Sequence, residues 1–406
     1  MIKRLIFLFF FLTPFAHSSN VNEIWITPEN SDYTKLSTGL AGSNITIISS
    51  KDLINSSDKD ISEILKFYSG IQVRNLYSDI SGSNATIDMR GFGEASSSNF
   101  LMLMNGKRLN DLDMGAINFS NIPLKLIDRI EIIRGNSSAT LYGSGAVGGS
   151  INIITKDSSE VASEVDLKFG SHNSTKLDLI TSTNLNEFTS VMVSGRSHNT
   201  DTYREGGDYD RRDIMLRINN KNESLNSYFD ISNNSKNQLL PGTRIIGGVF
   251  NYHLCNLLSN SRTGRNIGGS FDTNADNCNL EQRDDYANEK NTSFSGGFEA
   301  LLSNSQRINF DVTSKKKKQQ AFFGADANTA STPSNGDRYI DTDLKNIQLS
   351  LTLDDTFSID NNLAIVKYGI DFGDTEYESK RQRKEDEAVV QNYQASQETR
   401  AFFVQT

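Results

Sequence analysis

Apolar and polar residues alternate one by one along most of the chain after residue 160. Val165, Leu167 and Phe169 are interleaved with Asp166 and Lys168, and Ile214, Leu216 and Ile218 with Met215 and Arg217. Leu225, Phe229 and Ile231 share one face while Asn226, Tyr228 and Asp230 share the other. The same period returns in Phe294, Phe298, Ala300 and Leu302, in Ile308, Phe310 and Val312, and in Ile347, Leu349, Leu351 and Leu353. A period of two predicts β-strands, and an apolar face of about ten residues opposite a strongly polar one is the pattern of transmembrane barrel strands. Strands of a soluble sandwich alternate too, but average about five or six residues. The connections separate the two readings. They fall near 171–173, 185–187, 200–208, 219–222, 234–290, 303–306, 319–340, 355–361 and 374–396, and beyond the first, short ones take turns with long ones. Outer-membrane barrels have short turns at one end and long loops at the other. Loops beyond about 15 residues are uncommon in compact soluble domains. About ten barrel strands are therefore expected over residues 160–406.

Residues 40–156 are patterned differently. Ile45-Thr46-Ile47-Ile48 predicts a strand, and Ser50 or Ser57 can cap a helix carrying Ile61, Ile64 and Leu65, stopped by Gly70. Ile71 to Val73, Ala85 to Arg90 and Leu101 to Met104 predict further strands. Asn105-Gly106 before Arg108-Leu109 is a two-residue hairpin signal. Ile122 to Asp128 is expected to be a short helix with Pro123 in its first turn. Ile130 to Ile133 and Ile151 to Thr155 close a small α+β domain.

Residues 1–18 carry the marks of a secretory signal: Lys3 and Arg4, the apolar run Leu5 to Leu12, then Ala16-His17-Ser18 as a small-x-small cleavage site. Export permits disulfides, so Cys255 and Cys278, the 2 cysteines of the chain, form a candidate pair in the longest loop. Composition narrows the function classes. Acids outnumber bases 50 to 41, which argues against a nucleic-acid binder. After the leader, no stretch approaches the roughly 20 apolar residues that a spanning helix needs. The 4 histidines are scattered singly, with no HExxH or CxxC, so no metal site or cofactor is expected. No nucleophile elbow or P-loop occurs, so no catalytic residues are assigned and the protein is not expected to be an enzyme.

Four motifs in series carry a family resemblance. They are Ile87-Asp88-Met89-Arg90-Gly91-Phe92-Gly93, Leu103-Met104-Asn105-Gly106-Lys107-Arg108-Leu109-Asn110, Arg129-Ile130-Glu131-Ile132-Ile133-Arg134-Gly135, and Leu141-Tyr142-Gly143-Ser144-Gly145-Ala146-Val147-Gly148-Gly149-Ser150-Ile151-Asn152-Ile153-Ile154-Thr155-Lys156. In order and spacing they resemble the plug of TonB-dependent outer-membrane receptors. The resemblance implies a membrane all-β barrel of about 22 strands with an N-terminal α+β plug domain. It also implies bacterial outer-membrane localisation and uptake of a scarce ligand into the periplasm, driven by the inner-membrane proton-motive force through TonB. The expected organisation is a signal peptide at 1–18, an N-terminal extension at 19–39, a plug at 40–156 and part of the barrel at 160–406.

Within that resemblance, Glu23-Ile24-Trp25-Ile26-Thr27-Pro28 looks like the TonB box, a short segment able to add as an edge strand to a partner sheet. Arg90 and Arg134 occupy motif positions that face barrel-wall glutamates in the family, and are expected to act as a plug–barrel latch. Stretches 75–84 and 108–121 match the apical loops that touch ligand in the family, which makes Tyr77, Asp79, Leu112, Asp113 and Met114 candidate contacts. Asn136 departs from the proline that many relatives carry after Arg-Gly. Lys315 to Lys318 should split between the two faces of a strand, drawing anionic lipid or ligand or forming a solvated rim. Outer-membrane lipid and lipopolysaccharide are expected neighbours, and the receptor a monomer. The expected cargo is a ferric siderophore or other iron complex, the commonest in the family, with vitamin B12 (cobalamin) or haem as alternatives. A passive porin or surface adhesin is the rival outside the transporter class. About ten strands are fewer than a barrel of about 22 needs, and the chain stops within Phe402-Phe403-Val404, so a truncated barrel is expected.

Overall fold

The structure, a computed structural model, describes residues 44–56, 61–75, 85–111, 122, 124–135, 137–142, 145–201, 207–240, 285–323, 338–359, 362–383 and 388–405. The plug begins with strand β1 (Asn44–Ser49) and a helix, Ser50–Asn55. The cap of that helix is Ser49 rather than Ser50: its Oγ accepts from the Asp52 amide at 3.3 Å, and the Asp52 carboxylate accepts from the Ser49 amide at 3.2 Å. This reciprocal box satisfies two amides of the first turn. The other capping candidate, Ser57, lies outside the described residues. Helix Ile61–Leu65 and strands β2 (Ile71–Asn75) and β3 (Ala85–Met89) follow as expected, β2 and β3 pairing antiparallel.

Strands β4 (Phe100–Met104), β5 (Lys107–Arg108), β6 (Ile127–Arg134) and β7 (Gly149–Thr155) complete a five-stranded sheet of order β1-β6-β7-β4-β5. The β4–β5 hairpin turns on Asn105 and Gly106, at φ 50° and 78°. Both positive angles are what a two-residue turn with matching twist requires. Apolar side chains from one face of the five-stranded sheet meet the helices and the β2–β3 pair in one core, with Ile48, Leu65, Met89, Met102, Ile130, Ile132, Ile151 and Ile153 fully buried, while Leu101, Leu103 and Ala146 form a separate buried cluster. The helix expected at 122–128 is not formed. A single 3₁₀ turn at Leu124–Leu126 leads straight into β6, because Ile127, Ile130 and Ile132 are buried in the core along an extended strand. Helical turns at Ser96–Asn99 and Ser137–Tyr142 were not anticipated; both sequences are too short to show helical periodicity.

Gly149 shows why the glycine-rich motif is built as it is. Its φ is +144°, and a Cβ there would stand 2.5 Å from the Ile133 carbonyl oxygen and 2.7 Å from Met89 Cε. Gly149→Ala is expected to destabilise the plug by about 1–3 kcal/mol through strain and overpacking. Faster proteolysis of the plug in the folded receptor would register it, and unchanged cleavage would count against this account.

Ten antiparallel strands follow in strict sequence order. They are β8 (Glu164–Phe169), β9 (Thr175–Asn184), β10 (Thr189–Thr200), β11 (Tyr209–Lys221), β12 (Leu225–Gln238), β13 (Tyr286–Ser303), β14 (Gln306–Phe323), β15 (Arg338–Ile359), β16 (Asn362–Arg383) and β17 (Val389–Gln405). The alternation of connections is as expected, but the strands are longer. β15 and β16 run 22 residues each, against the roughly 9–11 that cross the hydrocarbon layer. Their polar upper halves continue the ladder past the apolar band, and so carried no membrane-strand signature in the sequence. The expected connections 234–290, 319–340 and 374–396 shrink accordingly.

The apolar face points outward, with Val165, Leu167, Ile214, Phe294, Ile347 and Leu351 all exposed. Tyr286, Phe322 and Tyr339 stack on that outer face, their ring centroids 6.0 and 5.0 Å apart. The polar face lines the lumen and holds the plug. Among the described residues no helix is long and apolar enough to cross a membrane.

Candidate functional site

The site is the surface on which the plug meets the luminal wall. Near the tight turns it is partly apolar: Leu126 and Val161 pack with Ile180, Met192 and Met215 of the wall. Lys125, on the 3₁₀ turn that enters β6, ion-pairs with both Glu164 and Asp166 of β8. The Ser158 hydroxyl donates to Asn219 Oδ1 at 2.5 Å.

Above this band the contacts are polar and carry charge. Arg217 of β11, with 4% of its side chain exposed, makes a two-pronged bond to Asp230 of β12 at 2.7 and 2.9 Å. It also donates from Nη1 to Thr155 Oγ1 at 2.7 Å and to the Lys156 carbonyl at 3.3 Å, the end of the last plug strand. The fork satisfies the carboxylate geometry while leaving a donor for the plug. The β4–β5 hairpin supplies a second attachment. Lys107 Nζ lies 3.3 Å from Asp311 of β14 and 4.0 Å from the centroid of the Tyr228 ring, whose hydroxyl donates to the same Asp311. Burial lowers the Lys107 ammonium below the usual lysine value, against the pull of Asp311 and Asp230. Asn105 and Asn152 fix the hairpin tip from the plug side: Asn105 Nδ2 donates to Thr155 Oγ1 at 2.9 Å, and Asn152 Oδ1 accepts from the Gly106 amide at 3.0 Å.

The third attachment lies further from the tight turns. Asp111, just past the hairpin, accepts from Lys315 Nζ at 2.6 Å and Lys317 Nζ at 3.0 Å. Asn110 positions it by bonding both ways to the edge of β4, accepting from the Met102 amide at 2.7 Å and donating to the Phe100 carbonyl at 3.0 Å. Burial by itself disfavours the Asp111 carboxylate, but the two ammonium groups outweigh it and hold its carboxyl below the usual range. The lysine run does split between faces. Lys317 is buried in the lumen, whereas Lys318 is exposed on the outer face 3.4 Å from Asp343. The solvated-rim expectation is therefore corrected for the luminal pair, which is tied to the plug.

Arg90 and Arg134 are brought together around Gly135. Arg90 packs its guanidinium over that glycine, where a Cβ would come within 2.6 Å of Nη2. Arg134 donates from Nε to the Ser69 carbonyl at 3.0 Å and from Nη1 to Thr46 Oγ1 at 2.7 Å. Asp88, buried in β3, accepts from the Phe92 and Gly93 amides at 2.9 and 2.8 Å, and so shapes the turn that presents Arg90. Glu23 to Pro28, Tyr77, Asp79, Leu112, Asp113, Met114, Cys255 and Cys278 lie outside the described residues. Sequence reasoning missed Lys107, Asp111, Arg217, Tyr228, Asp230 and Asp311 as functional contacts. The available signal was weak: polar positions in strict alternation on the wall, and a charged hairpin tip on the plug.

Comparison with known proteins accords with this geometry. Residues 40–150 match the TonB-dependent Receptor Plug Domain family. The vitamin B12 transporter BtuB of Vibrio cholerae is 36% identical over 145 residues, which is 36% of this chain and 22% of that protein. Its counterpart in Photobacterium profundum is 34% identical over 141 residues, 35% of this chain and 22% of that one. Among solved structures, the unliganded ferric citrate transporter FecA superposes with a TM-score of 0.67 at 13% identity, covering 89% of this chain and 53% of that one. The ferric-catecholate import receptor Fiu of E. coli K12 superposes at 0.65 with 17% identity, covering 89% and 56%. The chain thus spans about half the length of these solved neighbours, and their likeness bears on the fold.

Proposed function

We propose that this chain, a TonB-dependent receptor by its plug domain and barrel fold, imports a scarce ligand across the bacterial outer membrane. The observation that carries the proposal is the plug seated on the luminal wall by polar contacts: the hydrogen bonds of Arg217 to Thr155 and the Lys156 carbonyl, and the ion pairs of Lys107 with Asp311 and of Asp111 with Lys315 and Lys317. A filled lumen suits gated import rather than passive diffusion. Ionic attachments suit a plug that must hold and then release. A buried pair adds little net stability but is costly to leave half-made.

In this proposal, residues 1–18 direct export and Glu23 to Pro28 pair with TonB from the periplasm. Residues 40–156 seal the lumen, and residues 160–406 form the barrel wall. The short turns face the periplasm and the long connections face outside, where Cys255 and Cys278 form a disulfide in the longest one. Arg90 and Arg134 serve as a latch, while Tyr77, Asp79, Leu112, Asp113 and Met114 contact ligand. The receptor works as a monomer among outer-membrane lipid and lipopolysaccharide. The cargo is a ferric siderophore or other iron complex, in keeping with the transporters named among the structural neighbours. Cobalamin is the second reading, favoured by the vitamin B12 transporters that match over the plug.

The test is uptake by a receptor-deficient strain carrying the complete gene, with iron-55 complexes and cobalt-57 cobalamin as separate substrates. Accumulation of an iron complex that disappears in a TonB-deficient background is expected. Accumulation of cobalamin alone would move the assignment to the second reading, and uptake independent of TonB would overturn the transporter mechanism.

A further inference from the structure

Three aromatic rings sit on the outer face of the wall, well away from its apolar band. Tyr286 of β13, Phe322 of β14 and Tyr339 of β15 are cross-strand partners. So are Phe294, Ser314 and Ile347 at the upper edge of the band, eight positions away on each strand. At about 3.3 Å per residue and a tilt near 45°, the rings stand roughly 20 Å above that edge. A membrane-interface girdle of aromatic residues flanks the apolar band directly, so these rings do not belong to one. Between the two rows no outward position of the three strands is apolar, and Lys290, Lys316, Lys318 and Lys345 are among them.

Cross-strand aromatic pairs steady a ladder, but these rings do more than pack. Tyr286 and Tyr339 flank Phe322 and wall a cavity of about 240 Å³, which Gln320, Asp341 and Gln382 complete. A second cavity of about 320 Å³ shares Gln320 and Asp341 with the first and reaches down to Lys290 and Lys318. Lys290 stands opposite Lys318, and like charges so placed work against the ladder. Lys318 has Asp343 at 3.4 Å and Lys345 has Glu376 at 3.2 Å. Exposed Lys290 and its diagonal neighbour Lys316 have no ionic partner among the described residues.

We propose that this groove holds the oligosaccharide headgroup of an outer-leaflet glycolipid, with a sugar ring against Tyr286 and Tyr339 and a phosphate at Lys290 and Lys316. A sugar ring offers a C–H face to an aromatic ring and hydroxyls to amides and carboxylates at its edge, which is the set that Gln320, Asp341 and Gln382 supply. Ammonium groups without a carboxylate suit phosphate. The occupant is a membrane lipid because the groove lies on the lipid-facing side of the wall. Counted from the apolar band, its two ends also follow in the order of such a headgroup, phosphate first and sugar beyond. The inference rests on the outer-membrane reading and deepens it by naming a lipid class that the receptor selects and the part of that lipid it reads.

The test is native mass spectrometry of the purified full-length receptor in detergent, titrated with two lipids. One is lipopolysaccharide with a complete core, and the other is lipid A, which keeps its phosphates and lacks the core sugars. Wild type is expected to bind lipopolysaccharide about tenfold more tightly than lipid A. The pair Tyr286→Ala, Tyr339→Ala should bind both lipids equally, at the lipid A level. Tyr286→Phe with Tyr339→Phe keeps the stacking faces and should keep most of the preference. Lys290→Gln with Lys316→Gln should weaken both lipids by a similar factor. If the alanine pair does not fold, Tyr339→Leu keeps an apolar contact with Phe322 without a ring, and should lose most of the preference. Equal binding of the two lipids by wild type, or a full preference in folded variants that lack the rings, would overturn the subsite. Heat-modifiable migration on gels reports the folded barrel separately. A folded barrel with no preference would count against this inference alone, and a receptor that never forms such a barrel would sink the outer-membrane reading as well.

Discussion

Ile24→Pro is expected to abolish uptake while leaving ligand binding at the wild-type level. Residues 23–28 place the β-branched and aromatic residues Ile24, Trp25, Ile26 and Thr27 in succession, a composition suited to adding an edge strand to a partner sheet. In that mode the main chain supplies most of the affinity, and proline both removes an amide donor and fixes φ near −65°. One lost main-chain bond is worth about 0.5–1.5 kcal/mol, and disturbance of the neighbouring pairs adds to it, so coupling should fall roughly tenfold or more. Ile24→Val keeps the donor and the strand preference, and should transport normally. The measurements are initial uptake rate in whole cells and binding to isolated outer membranes. Wild-type uptake by the proline variant would remove the box from the mechanism, and a parallel loss of binding would mean the substitution acts on folding or export instead.

Asp230→Ala should cause the largest loss of stability of any wall substitution considered. It leaves Arg217, with 4% of its side chain exposed, without the carboxylate that binds it in two-pronged fashion. Breaking one side of a buried pair costs about 3–5 kcal/mol, much of it from the stranded charge. The loss should appear as a lower midpoint in denaturant unfolding of the folded receptor, and a change under about 0.5 kcal/mol would refute the assignment. The double variant Arg217→Met, Asp230→Leu separates two roles. Replacing both charges with apolar groups of similar size should restore most of the wall's stability. It cannot restore the bonds that Arg217 donates to Thr155 and to the Lys156 carbonyl. The double variant is therefore expected to be stable yet leaky, with open-channel conductance in planar bilayers that wild type lacks.

These two substitutions sit on opposite sides of what could be foreseen. Ile24 belongs to the proposed TonB box, a local reading of six consecutive residues. Arg217 and Asp230 were visible only as polar positions in an alternating strand, and nothing nearby in sequence distinguishes them from Asn219 or Ser232 on the same face. Short helical turns escaped for a related reason. Ser96–Asn99 and Ser137–Tyr142 have no apolar periodicity, and are held by the glycine-rich turns and strands around them. The extended reach of β15 and β16 escaped because their outer halves are polar on both faces, so the period-two signal ended before the ladder did.

The sequence by itself determined the class of fold, the order of strands and which side of each faces the lumen. All three follow from information within about ten neighbouring residues: a pleated strand puts alternate side chains on opposite faces, and tight turns need residues such as Asn105-Gly106. Only the tertiary structure decided which charges meet. Asp111 and Lys315 lie 204 residues apart, and Thr155 and Arg217 lie 62 apart. A run of four lysines has the same sequence whether it is solvated or clasping a carboxylate. Its partners were set when the plug came to rest on the wall, because burial there makes an unmatched charge too costly to leave alone.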